Sequence, residues 1–288
     1  MPSRMIVSML VAVLSPLSVF AQETPWEIYT EEGREAYSQH RYAEAEESYL
    51  AALKEAEQFG NEDSRLGTSL DNLAELYYTQ DRYTEAEVLY RRALAIKEQA
   101  LGPEHLDVAK SLMKLAALYR MQGKPADTEP LYQRSLAIWE KTVGPEHPDV
   151  ANVLLNLGDV YVDQGKYAKA EPLYQRLLAI FEKARGPEHP NVGTILINLG
   201  DIYLDQGKYA EAEPLYQRSL AIWEKLGAAA GPPLAMTLEN YATLLRLLAR
   251  HAEAEKLEER AKAIRAIRPP SAGDPPPPPP PAPAAAPN

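Results

Sequence analysis

Gly102-Pro103-Glu104-His105 recurs as Gly144-Pro145-Glu146-His147 and again as Gly186-Pro187-Glu188-His189, each copy 42 residues after the last. A period between about 20 and 50 residues marks a solenoid, propeller or array. The flanking chain repeats in the same register. Leu157-Gly158-Asp159-Val160-Tyr161 returns as Leu199-Gly200-Asp201-Ile202-Tyr203, and Ala170-Glu171-Pro172-Leu173-Tyr174-Gln175-Arg176 as Ala212-Glu213-Pro214-Leu215-Tyr216-Gln217-Arg218. The strand alternation that a propeller needs is absent.

Each unit reads as two helices. Leu154, Leu157, Val160 and Tyr161 recur at helical spacing before the break at Gln164-Gly165-Lys166. Ala170, Leu173, Tyr174, Leu177, Leu178 and Phe181 repeat the same period after it. Gly165 suits a helix C-terminus that needs a left-handed residue. Gly186-Pro187 ends the second helix, and Pro148 and Pro190 fit the first turn of the next. Pro130, Pro172 and Pro214 require a helix start only a few residues before each, because deeper in a helix proline removes a hydrogen bond.

Small residues recur where the two helices would cross. They are Ala74, Ala116, Gly158, Gly200 and Ala242 in the first helix, and Ala45, Ala86, Ala170, Ala212 and Ala254 in the second. Such residues permit a close approach of the helices. The spacing Leu157-Gly158, Tyr161, Gly165, Tyr167, Ala170, Tyr174 resembles the tetratricopeptide repeat, which implies paired antiparallel helices. The period exceeds the ~34 residues usual for that repeat. With the Gly-Pro-Glu-His connector, the unit is similar to those of kinesin light chains. A HEAT-type repeat has a comparable period but not this order of Gly/Ala, Tyr, Gly and Ala.

The expected fold is an all-α, right-handed α-solenoid of about six antiparallel helix pairs. The array spans residues 22–268, with units at about 26–60, 61–102, 103–144, 145–186, 187–228 and 229–268. In the third unit Thr128 replaces the alanine and Pro125 replaces the tyrosine seen at 83 and 167, so this unit is expected to pack least well. In the last unit Glu258 stands for the tyrosine of positions 49, 90, 132, 174 and 216. Lys262 there stands for a leucine. A terminal repeat needs a polar outer face, so the last helix reads as a cap.

The two ends differ from the array. Arg4 followed by the apolar run Met5–Phe20 and by Val19-Phe20-Ala21 reads as an export signal, residues 1–21, cut after Ala21. The run is short of the ~20 residues that span a bilayer, so no stable membrane insertion is expected after cleavage. The expected location is periplasmic or secreted. Residues 269–288 hold 11 prolines, seven of them consecutive from Pro275 to Pro281. This composition favours extended polyproline II and reads as a disordered tail.

Composition narrows the function. The chain has 288 residues, 30 Lys+Arg against 41 Asp+Glu, a formal charge of −11 and no cysteine. An acidic balance argues against nucleic acid, whose phosphates require Lys and Arg, and against anionic membrane surfaces. The absence of cysteine excludes disulfides and thiolate chemistry. Thirteen of the 17 tyrosines fall at three recurring positions: 42, 83, 167 and 209; 49, 90, 132, 174 and 216; and 77, 119, 161 and 203. The tyrosine excess is therefore a repeat signature. Trp139, Phe181 and Trp223 recur near the ends of second helices and read as packing.

No catalytic constellation is found, and no metal or cofactor is expected. His105, His147 and His189 sit a full repeat apart, too far to share a metal, and read as helix-start or loop contacts. Asp159 and Asp163 lie one turn apart on the first helix of unit four, Asp201 and Asp205 repeat them in unit five, and Asp71 and Glu75 are similar in unit two. Asn72, Asn156, Asn198 and Asn240 form a second ladder, with Lys114 in the third unit, where Lys110 and Arg120 also mean that the acidic strip need not be uniform. The resemblance implies that such first-helix positions line a concave groove, where kinesin light chains use asparagines to hold a peptide backbone. The expectation is a non-catalytic scaffold binding a protein or an extended, basic peptide in that groove. The competing reading of these side chains is that the amides satisfy neighbouring backbone and the acids face solvent. The competing function is a structural or self-assembling envelope component.

Overall fold

The computed structural model describes residues 24–227 and 231–267. The segment 1–21 expected as an export signal, Ala228–Ala230 of the last connector and the tail at 269–288 lie outside the described residues. These contain twelve α-helices and no strand. The pairs are α1 (Pro25–Ser38) with α2 (Tyr42–Glu57), α3 (Ser64–Thr79) with α4 (Tyr83–Leu101), and α5 (Leu106–Met121) with α6 (Pro125–Val143). They continue as α7 (Pro148–Asp163) with α8 (Tyr167–Arg185), α9 (Pro190–Asp205) with α10 (Tyr209–Leu226), and α11 (Gly231–Leu247) with α12 (His251–Ile267). Each second helix also packs on the first helix of the next pair. Among the described residues, no helix is long and apolar enough to cross a membrane.

The recurring connector works by capping. Gly102, Gly144 and Gly186 take φ of 87, 90 and 89°, which a side chain would oppose, and turn the chain out of the second helix. His105, His147 and His189 are then N-caps. Each ring Nδ1 accepts from the backbone N–H two residues on, at 3.1, 3.2 and 3.1 Å. A donor that would otherwise lack a partner at the helix start is thereby satisfied. Thr24 and Asp63 do the same work for α1 and α3. Pro148 and Pro190 occupy the first helical turn, as expected.

Pro130, Pro172 and Pro214 lie one turn deeper than the first-turn positions, five residues past the first residue of α6, α8 and α10. Each removes one helical donor. The residues four before them, Ala126, Ala168 and Ala210, are exposed, so water can reach the freed carbonyls.

Within a pair, the small position of the first helix lies under a tyrosine of the second. A Cβ added to Gly33, Gly158 or Gly200 would stand 2.4, 2.7 or 2.8 Å from the rings of Tyr49, Tyr174 or Tyr216. These rings are buried, and the desolvation raises their hydroxyl pKa, to about 12 for Tyr49. The tryptophans at 139 and 223 are buried packing residues. Core clusters run through consecutive pairs without a break at the pair boundary. The weakness expected in unit three is not at Thr128. That side chain is fully buried, and its hydroxyl donates to the Lys124 carbonyl at 2.8 Å.

The last helix is a cap. Glu258 accepts two bonds from Arg246 at 2.6 and 2.7 Å, in place of a tyrosine ring, and Lys262 is exposed. The turn before each second helix takes positive φ, at Gly123, Gly165 and Gly207 but also at His40, Asp81 and, before α12, at Ala249 with φ 58°. Alanine is strained there by about 1 kcal/mol. Ala249→Gly is expected to raise stability by about 0.5–1 kcal/mol and Gly165→Ala to lower it by a similar amount, as read from urea denaturation midpoints.

Candidate functional site

The first helices lie on the inner side of the array. α3 touches α5, α5 touches α7, and α9 touches α11, whereas no pair of successive second helices approaches as closely. The ladder residues proposed from sequence all lie on these helices, but most are already engaged by the array.

Asp71 is a correction. It is buried, and its Oδ2 takes the Lys97 ammonium and the Ser111 hydroxyl, the latter at 2.8 Å. It therefore cannot line a groove. Lys97 occupies the position of Trp139, Phe181 and Trp223, and its stem runs past Gly67, where a Cβ would lie 2.9 Å from it. A buried cation at that position needs a buried anion beside it, and Asp71 supplies it. Lys97→Met is expected to cost about 3–5 kcal/mol in denaturant unfolding, because it leaves the carboxylate buried without its partner. The double change Lys97→Met with Asp71→Leu is expected to recover most of that loss.

The other ladder residues form links between units. Glu75 pairs with Lys114 of the next unit at 2.6 Å. Asp159 accepts from the Tyr174 hydroxyl of its own unit and from Arg120 of the preceding one, at 3.2 Å for the latter. Arg120 also holds Asp163, at 2.7 Å. Asn198 lies against the Tyr174 hydroxyl. Asp201 accepts from Tyr216 at 2.5 Å and from Asn240 at 3.0 and 3.1 Å. Asp205 faces the Tyr167 hydroxyl. Asn156 has no acid opposite it, because Ala117 stands there, and its amide donates to its own helix at Asn152 at 2.7 Å. Asn72 is half-buried, and its Nδ2 makes no hydrogen bond with a described residue.

The inner face is thus not a uniform acidic strip. Lys114 and Arg120 neutralise units two to four. Asp201 and Asp205 in unit five make no ion pair with a described residue, and the unbalanced negative charge there rests chiefly on Asp205. Burial pushes the Asp201 carboxyl up to about 7, against the opposing pull of the Tyr216 and Asn240 hydrogen bonds. Between about pH 4 and 7 the folded state then binds more protons at this site than the unfolded state. Its contribution to stability is full below about pH 4 and is lost as pH rises through 7. The stability of Asp201→Asn relative to the parent is expected to rise across that window, by a few kcal/mol at most at ~1.4 kcal/mol per pH unit. Urea titrations at several pH values read this difference.

Two openings emerge that periodicity alone does not announce. One, of about 250 Å³, lies among Leu155 of α7, Leu177 and Phe181 of α8, and Asn191, Thr194, Ile195 and Asn198 of α9. Phe181 stands where Trp139 and Trp223 stand, and it fills less space. Leu155 is exposed, beside an amide from the proposed ladder. The other opening lies beside Pro125 at the junction of units three and four. The signal for both was a departure from the consensus of the repeat, not the consensus itself.

The family model described as tetratricopeptide repeat matches residues 35–99, 68–127, 107–183, 153–225 and 192–266, and the chain belongs to that family. No curated protein matches it. Among solved structures it is similar to BtubC (BKLC) from P. vanneervenii, at 25% identity and a TM-score of 0.67, over 81% of this chain and 94% of that one. It is also similar to a putative kinesin light chain of Podosopora anserina with nearly identical TPR-like repeats. That match has 28% identity and a TM-score of 0.63, over 72% of this chain and 98% of the other. Aspartyl phosphate phosphatase F from Bacillus subtilis shares the fold at 14% identity and a TM-score of 0.58, over 84% of this chain and 70% of that one.

Proposed function

We propose that this array is a non-catalytic, exported scaffold that holds an extended segment of a partner protein along its inner face. The observation that carries the reading is the opening between α7 and α9. Its walls are the apolar Leu155, Leu177, Phe181 and Ile195, and Asn191 and Asn198 add amides. Such a slot suits one apolar side chain of an extended peptide, with the amides positioned to bond its backbone. Asp201 and Asp205 on the C-terminal side favour a basic residue further along the same segment. Export is proposed from the apolar run at Met5–Phe20.

The partner can be retrieved by crosslinking from the exported fraction, and its affinity then measured. Leu155→Glu and Asn198→Ala are each expected to weaken binding at least about tenfold. Changing Asp201 and Asp205 to Asn is expected to reduce the salt dependence of association more than the affinity at high salt. A partner that binds all these variants as it binds the parent would sink the reading. Self-assembly is favoured by one observation, the exposed Ile28 and Tyr29 on α1 at the open end of the array. Light scattering that reports a multimer abolished by Ile28→Glu would support that alternative.

A further inference from the structure

The second helix opens with Tyr42, Tyr83, Tyr167 and Tyr209 in units one, two, four and five, but with Pro125 in unit three. In units one and two this ring lies against a tyrosine of its own first helix, and in units four and five it packs in clusters that continue into the next pair. Tyr42 lies 6.0 Å from Tyr37, and Tyr83 lies 5.7 Å from Tyr78. Tyr209 packs in the cluster that holds Leu204 and Leu248. Tyr167 packs in the cluster that holds Ile202 of the next unit, and its hydroxyl faces Asp205 there.

Unit three has the same seam without the ring. A cavity of about 270 Å³ is lined by Arg120, Lys124, Pro125 and Thr128 on one side and by Val160, Asp163 and Gln164 of the next unit on the other. Val160 is the register counterpart of Ile202, and Asp163 that of Asp205. The acid that would receive the missing hydroxyl is therefore still present. Pro125 and Asp163 are exposed, so the cavity is reachable from solvent. Arg120 bonds Oδ2 of Asp163 through its Nε at 2.7 Å, which leaves Oδ1 as an acceptor. The array thus carries a mould of a tyrosine side chain, with the tyrosine removed.

We propose that this seam binds a tyrosine side chain of a partner segment, in the place its own repeats fill with Tyr167. The ring would lie against Pro125 and Val160, with the Arg120 guanidinium close enough to face it. The phenol would donate to Asp163 Oδ1. None of the segments outside the described residues supplies a tyrosine, since the only aromatic residue in them is Phe20. This inference rests on the reading of the array as a receptor for an extended partner.

The probe is N-acetyl-L-tyrosinamide, titrated into the mature protein and followed by backbone amide NMR, with N-acetyl-L-phenylalaninamide as comparison. Saturable shifts are expected at Gly123, Thr128 and Gln164, with the tyrosine probe bound roughly tenfold tighter, the worth of one hydrogen bond to a carboxylate. Pro125→Tyr is expected to abolish those shifts and to raise the melting temperature, because the chain then fills its own seam. Asp163→Asn, which leaves the cavity walls intact, is expected to erase the preference for tyrosine over phenylalanine. Absence of saturable shifts in the parent would overturn the proposal, as would shifts that persist in Pro125→Tyr or an undiminished preference in Asp163→Asn. A seam that ignores the probe leaves the receptor reading standing, since that reading is tested at Leu155 and Asn198.

Discussion

A tyrosine ring laid on a residue with almost no side chain holds each helix pair but the last together. Gly158 under Tyr174 and Gly200 under Tyr216 leave no room for a Cβ without displacing the ring. The ring contributes its apolar face to the crossing, while its hydroxyl continues past it to Asp159 or Asp201. One residue therefore closes the pair and aims a donor at the inner face. Because an aromatic ring buries more apolar surface than most side chains can, the pair becomes a rigid block. The array is these blocks set side by side.

The blocks are tied to one another by a second repeating device. A cation before each second helix reaches a glutamate of the previous second helix: Arg82 to Glu46, Lys124 to Glu87, Lys166 to Glu129, Lys208 to Glu171 and Arg250 to Glu213. Glu129 also receives Lys169 and the Tyr161 hydroxyl, and Lys166 does most to hold its carboxyl below the usual range. A gap in the pattern shows what it requires. Leu245 replaces the tyrosine of positions 161 and 203, and Tyr241, one turn earlier, bonds Glu213 and Gln217 instead. Isolated surface pairs are each worth little, about 0–1 kcal/mol, but here every link repeats. In a stacked array such neighbour interactions add along the chain.

The helix pairs, the glycine and proline ends around the Gly-Pro-Glu-His connectors and the polar last helix were legible from the 42-residue period. These depend on local spacing and backbone chemistry. The candidate site was legible only as a set of positions. Asn156 and Asn198 occupy the same register, yet one turns back on its own helix and the other meets a tyrosine hydroxyl, because Ala117 and Asp159 differ across the seam. Asp71 looked like a groove acid, since nothing local shows that Lys97 enters the core beneath it. Arg120 was visible as a positive charge, but not as the clamp on Asp159 and Asp163. Side-chain pairing across units is set by which residue the neighbouring block presents, and one unit's spacing does not contain that information.

Much of the polar lining of the inner face is therefore structural, and the surface proposed for a partner is confined to the opening between α7 and α9 and the seam beside Pro125. Hydrogen–deuterium exchange on the protein with and without its bound partner tests this directly. The account predicts that protection on binding appears in the first helices α7 and α9, around Leu155 and Asn198, while the exposed faces of α8 and α10 are unchanged. Protection confined to α8 and α10, with α7 and α9 unaffected, would contradict it.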